Sequence, residues 1–150
     1  MSNDQQGFAR GAYGQLSDLH RQIREKFTYI TDQQKHGMVE RWEDSSTLLN
    51  IGRSGVTRFT GDCEEFALVA ADGARRYGYN VRLVVCYVET GEGHCLCEVA
   101  SEDFTEAFYL DNRQIKLSTR DDLKKYKFVA VSPWNPEPRD ERPWMKVAQK

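Results

Sequence analysis

No stretch of this 150-residue chain approaches the roughly 20 consecutive apolar residues that a membrane-spanning helix needs. Nor is one sign of charge in surplus: 21 Lys and Arg stand against 23 Asp and Glu, well mixed, for a net charge of −2. That balance offers neither a nucleic-acid surface nor a basic membrane-binding face, so neither nucleic acid nor membrane is expected as a partner. The first ten residues are polar and lack the apolar core of a signal peptide, so the sequence as it stands is expected in the cytoplasm. Cysteine is scarce. Cys63, Cys86, Cys95 and Cys97 are the four, and in a reducing compartment they are expected as thiols. Cys95 and Cys97, two apart in a strand, stand roughly 6–7 Å from each other and are poorly placed for a disulfide. Proline is absent until Pro133, and all four prolines lie between it and Pro143, where they exclude regular helix and central strand. There is no repeat and no low-complexity tract. The length suits one domain over 1–150, whose tail at 133–150 carries Trp134 and Trp144 and is expected to pack on the rest.

What is present suffices for a core: 39% of residues are apolar, with seven Phe, seven Tyr and three Trp. Leu16, Leu19, Ile23, Phe27 and Ile30 recur at three- to four-residue spacing, which predicts a helix from about Tyr13 to Phe27. Met38, Trp42, Leu48 and Leu49 suggest short helical turns, with Ser45 and Ser46 as caps. Gly52 to Gly61 holds three glycines and no periodicity, and reads as a loop. Asp62 to Tyr77 is the strongest helix: Asp62 at the N-cap, Glu65 three residues on, a small-residue face at Phe66, Ala70 and Ala74, Arg75 and Arg76 in the last turn, and Gly78 as a stop. From Asn80 the period changes to two. Val81, Leu83, Val85 and Tyr87 alternate with Val84, Cys86 and Val88, so both faces are apolar and the strand is expected to be central. A turn at Gly91–Gly93, a strand His94–Ala100, a turn Ser101–Asp103, a return over Thr105–Asp111, a short strand at Ile115 and Leu117, and a last strand Lys127–Ser132 complete the reading.

Thiol hydrolysis needs a thiolate, an imidazole beside it, and a polar group that fixes the imidazole. Cys63 would sit in the first turn of the strongest helix, where backbone N–H groups favour an anion, lower a thiol pKa and can hold an oxyanion. Asp62, Glu64 and Glu65 oppose this. If Ala100 faces Thr105 across the turn, the same antiparallel register sets His94 opposite Asp111, with Cβ atoms about 4.5–5.5 Å apart on one face. A slip by one residue would aim Asn112 at the ring instead. His20 and His36, in helical or polar segments, read as surface residues. Gly61 permits close approach of a substrate, and Trp42 either lines the cleft, supports the oxyanion site or packs in the core.

These residues carry a resemblance. Gly61-Asp62-Cys63-Glu64-Glu65-Phe66-Ala67-Leu68 is similar to the cysteine signature of the bacterial transglutaminase-like cysteine proteinases. Phe27-Thr28-Tyr29-Ile30-Thr31-Asp32, Trp42, Gly93-His94-Cys95 and Tyr109-Leu110-Asp111-Asn112 match further motifs in the same order, covering about Phe27 to Phe128. The resemblance implies an α+β, papain-like fold, in which N-terminal helices and the nucleophile helix pack on an antiparallel sheet of about four strands. It implies peptidase chemistry on a protein or peptide substrate by Cys63, His94 and Asp111. It also implies, for some members, a regulatory calcium near the cysteine, with Asp62, Glu64 and Glu65 as the matching acids; no other cofactor is required. Three other readings use the same residues: an amidase, deamidase or transglutaminase on one triad; a non-catalytic module that retains the fold; and zinc binding by Cys63, His94, Cys95 and Cys97.

Overall fold

The computed structural model describes residues 2–29, 63–137 and 140–147, with side chains of 11–25 in the first segment. The expectations for Trp42, Gly61 and Asp62, and for the short turns and loop between residues 30 and 62, lie outside the described residues.

Among the described residues, two α-helices pack on one sheet. Helix α1 (Ser2–Tyr29) is longer than its apolar stripe predicts, and α2 (Cys63–Arg76) matches the predicted helix closely. The buried face of α2 is made of Cys63, Phe66, Ala67, Ala70, Ala71 and Ala74, small groups that let neighbours approach. Gly73 shows how near α1 comes: a Cβ there would meet Leu19 Cδ1 at 2.9 Å. Glycine in a helix costs about 1 kcal/mol against alanine, and here that cost is offset by the packing of one helix on the other. Gly78, at φ +93°, ends the helix in a conformation that favours glycine.

The sheet comprises β1 (Asn80–Tyr87), β2 (Gly93–Ala100), β3 (Ala107–Leu110), β4 (Lys127–Val131) and β5 (Met145–Lys146), in the order β3-β2-β1-β4-β5, with every pair antiparallel. Strand β1 is central as its double-faced apolar pattern requires. Val81, Leu83 and Val85 join Cys95, Cys97, Val99 and the helices in one core. Val84, Cys86 and Val88 join Leu96, Tyr109, Phe128 and Val131 in a second core on the other face, closed by Leu123 and Tyr126 from the segment before β4.

The expected antiparallel sheet of about four strands is present, with a short fifth strand: after Pro143 the tail adds β5 to the edge of β4, where a proline-rich approach costs no ladder bond. Two expectations are corrected. Ile115 and Leu117 form no strand. Ile115 is 83% exposed, Leu117 is buried, and the segment touches the sheet through a single bridge between Ser118 and Tyr109. The β2–β3 register differs by two, since Ala100 faces Ala107 rather than Thr105. The turn is wider than predicted because Asp103 organises it, accepting hydrogen bonds from Ser101 Oγ and from both the N–H and Oγ1 of Thr105, while Phe104 takes φ +62°.

Candidate active site

Topology brings the start of α2 to the site. The chain leaves the end of α2, enters β1 running back beneath it, and turns at 88–92 into β2. Cys63 therefore stands over the end of the sheet where β1 finishes and β2 begins. Two other thiols lie in that region, Cys86, which is paired with His94 across the ladder, and Cys95, the next residue along. Cys63 itself is fully buried in the helix-side core. His94 sets its ring edge-to-face on Tyr126, a member of the opposite core, with centroids 5.8 Å apart. Cys63 thus belongs to the helix-side core, and His94 to the opposite face of the sheet.

The register shift does not separate His94 from Asp111, because two is the period of a strand. Continuing the ladder past Leu110 sets Asp111 opposite Leu96, with His94 diagonal to it on the same face, a separation of about 7–8 Å that an imidazole and a carboxylate can span. His94 Nε2 lies 2.6 Å from Asp111 Oδ1, and both residues are fully buried. The carboxylate is well held. Tyr126 donates its hydroxyl to Oδ2 at 2.7 Å, and the Arg113 backbone N–H donates to Oδ1 at 2.9 Å. The Tyr126 oxygen in turn accepts from Arg113 at 2.9 Å and from Gln114 at 3.1 Å, and Arg113 is anchored to Glu89. Burial alone would push the Asp111 carboxyl up. The bond from His94, that ring's charge, and the bonds from Arg113 and Tyr126 outweigh burial and leave it below the usual carboxylate range.

The structure adds residues that the sequence reading missed. Tyr126 and Arg113 carry no local motif. His20 was expected on the surface and is 1% exposed. It lies on the stripe of Leu16, Leu19 and Ile23, its ring packs edge-to-face on Phe66 of α2 (5.7 Å between centroids), and Nε2 donates to the Asp111 carbonyl at 2.9 Å. Burial first, then the charge of Arg24, lower its pKa against the raising effects of Asp111. Asn112 is half-buried and its Oδ1 has no hydrogen-bond partner among the described residues, so it is Asp111 that meets the ring.

The remaining thiols differ from an activated nucleophile. Burial pushes Cys86, Cys95 and Cys97 well up, with the charges of Asp111 and Cys63 adding at Cys86 and that of Cys63 at Cys95. No disulfide joins the four cysteines. Among the described residues no three His, Cys, Asp or Glu side chains converge as metal ligands, so Cys63, His94, Cys95 and Cys97 do not form the zinc site considered above. Glu64 and Glu65 are neighbouring, half-buried carboxylates, and burial followed by the charge of Glu65 raises the Glu64 carboxyl. A cation would relieve that crowding, but two carboxylates supply only part of the six to eight oxygens that calcium takes. Among the described residues no helix is long and apolar enough to cross a membrane.

A model described as the transglutaminase-like superfamily matches residues 2–133. Solved structures of Legionella pneumophila LapG are similar to the chain at low identity. One is 12% identical, with a TM-score of 0.44, over 76% of this chain and 83% of that one. An EGTA-treated form is 12% identical, with a TM-score of 0.48, over 87% and 86%. A calcium-bound form is 13% identical, with a TM-score of 0.44, over 76% and 83%. No curated protein matches the chain.

Proposed function

The chain belongs to the transglutaminase-like superfamily, and on that premise we propose that it is a cysteine peptidase acting on a protein or peptide substrate, with Cys63 as nucleophile, His94 as base and Asp111 as the group that orients the base. The observation that carries the reading is the buried His94–Asp111 hydrogen bond at the end of the sheet where α2 begins. Asp111 engages Nε2, so Nδ1 is the ring nitrogen that takes the Cys63 proton. The thiolate then lies at the positive end of a helix. It attacks the substrate carbonyl carbon, and the resulting oxyanion is stabilised by backbone N–H groups at the helix start. Collapse of the tetrahedral species expels the amine, which receives the proton from His94, and leaves a thioester on Cys63. Water, giving a proton to His94, attacks the thioester. The acid departs and the thiol is restored. Gly61, Trp42 and Asn112 are candidates for lining the substrate and oxyanion positions.

The test is labelling at low iodoacetamide concentration together with hydrolysis of denatured protein substrates. Cys63→Ala should remove both the fast label and the cleavage. Faster labelling of Cys86 or Cys95 than of Cys63 refutes the assignment. Ammonia release from glutamine peptides without peptide-bond cleavage would move the enzyme to the amidases on the same residues. Calcium is a separate proposal, with Asp62, Glu64 and Glu65 as the acids to hold it. A rise in melting temperature on adding calcium, reversed by chelator and lost in Glu64→Gln, supports it, and an unchanged melt rejects it.

A further inference from the structure

His20 is a buried polar residue ninety-one positions from the backbone group it binds, and the reaction proposed above gives it no role. Four observations bear on what it does. Its ring is 1% exposed and sits on the apolar stripe of α1, between Leu16 and Ile23. Its ring makes an edge-to-face contact with Phe66, one helical turn after Cys63. Its Nε2–H donates to the carbonyl of Asp111, the residue whose carboxylate holds His94. Its other nitrogen, Nδ1, is buried and has no hydrogen-bond partner among the described residues. A side chain needed only for packing would be apolar here, because a buried ring nitrogen left unbonded costs about 1–3 kcal/mol. The retained polarity is matched to one acceptor, and that acceptor lies where β3 has ended. Past Leu110, Asp111 has no ladder partner among the described residues; its carbonyl accepts from the Gln114 N–H of its own turn at 3.1 Å and from His20, which ties it to α1. Without the His20 bond that peptide is held only within its own turn, and its rotation would swing the carboxylate away from His94 and Tyr126.

We propose that His20 is a positioning residue: by clamping the Asp111 carbonyl to α1 while resting on Phe66 of α2, it sets the Asp111 carboxylate against His94 and keeps that pair in register with the start of the nucleophile helix. The clamp exists as geometry whatever reaction the site performs; its catalytic consequence rests on the Cys63–His94–Asp111 reading. Nε2 carries a proton, since it donates to a carbonyl oxygen, and burial disfavours a second proton on the ring.

The experiment compares His20→Phe, which keeps the ring packing and removes the donor, with His20→Gln, whose amide nitrogen reaches the position of Nε2. Two readouts are taken on the full chain: the rate of iodoacetamide labelling at Cys63, and the downfield proton resonance of the His94–Asp111 hydrogen bond. His20→Phe should label about tenfold more slowly and should shift or broaden that resonance, with circular dichroism unchanged. His20→Gln should restore both to near the parent. A folded His20→Phe whose resonance is unmoved overturns the clamp. A moved resonance in a protein whose Cys63 never labels preferentially leaves the clamp standing and refutes the enzyme reading instead. If His20→Phe does not fold, His20→Gln is compared with His20→Asn, whose amide stops one atom short. Retention of the resonance in Gln but not Asn supports the clamp, and equal behaviour of the two overturns it.

Discussion

The β2–β3 hairpin has an aspartate at each end, and each carboxylate accepts three hydrogen bonds. At the turn, the exposed Asp103 accepts from Ser101 Oγ and from the N–H and Oγ1 of Thr105, all within two residues of itself. At the open end, Asp111 binds His94 from β2, Tyr126 from the segment before β4, and the Arg113 N–H, with no solvent contact. Both carboxyls titrate below their usual range. For Asp103 the causes are the Thr105 and Ser101 bonds. For Asp111 burial opposes, and the bonds must overcome it. The same acid with the same number of donors therefore does two things. One folds back on its own turn and settles a register, while the other gathers three separate parts of the chain around an imidazole.

The comparison breaks most visibly at Asp111. Asp111→Ala should leave the His94 ring and the Tyr126 hydroxyl buried without their partner and cost about 3–5 kcal/mol in denaturant unfolding, as breaking a buried pair does. Turnover should fall by about 10³–10⁴-fold, the loss seen when the orienting acid of a hydrolytic triad is removed. An Asp111→Ala protein of parental stability would show that the buried end is no more demanding than the turn.

Acid provides the next largest effect. Asp111 has a depressed folded-state pKa, so its stabilisation is full above the unfolded value of about 3.9 and is lost as pH falls through the folded value. His20 is also depressed, for the opposite reason that burial disfavours its cation. Its contribution is full above about 6.5 and is lost as pH falls below that toward the folded value. Melting temperatures from pH 7.5 to 3 should therefore decline in two stages, the upper removed in His20→Gln and the lower in Asp111→Asn. A single stage in the parent would remove His20 from the account.

Tyr126→Phe sharpens the contrast at smaller scale. It deletes one donor to Asp111 and one acceptor for Arg113 and Gln114, for an expected loss of about 1–2 kcal/mol and a severalfold slower label at Cys63. Smallest of all, Asp103→Ala should slightly lower the melting temperature and leave labelling unchanged, because its donors return to water. A large loss of labelling in Asp103→Ala would mean that the turn, through the register it sets, governs the distant pair.

Much of this was legible from residue spacing, because the informative patterns were local. The period-two run through β1 exposed both of its faces, and the acids, small residues and terminal arginines of α2 marked its extent. The hairpin placed Asp111 on the His94 side even with its register misjudged, since an error of two residues preserves the face. What escaped depended on contacts far apart in sequence. Nothing around Tyr126 announces Asp111. Nothing in a proline-rich tail announces that Met145 and Lys146 will complete a sheet edge. His20 shows the limit of residue type as a guide: its position between Leu16 and Ile23 puts it on the apolar stripe, and the helical period, not the polarity of an imidazole, decides its burial.

The bond from His20 to Asp111 also orders events in time. A chain emerging from the ribosome delivers α1 first and must make another ninety residues before the carbonyl that α1 grips is available. Cys63 is synthesised well before Asp111, so the buried His94–Asp111 pair forms only after most of the domain has been made. On the proposed reading, assembly of the triad is thereby tied to closure of the domain, and a half-made chain would lack its oriented base.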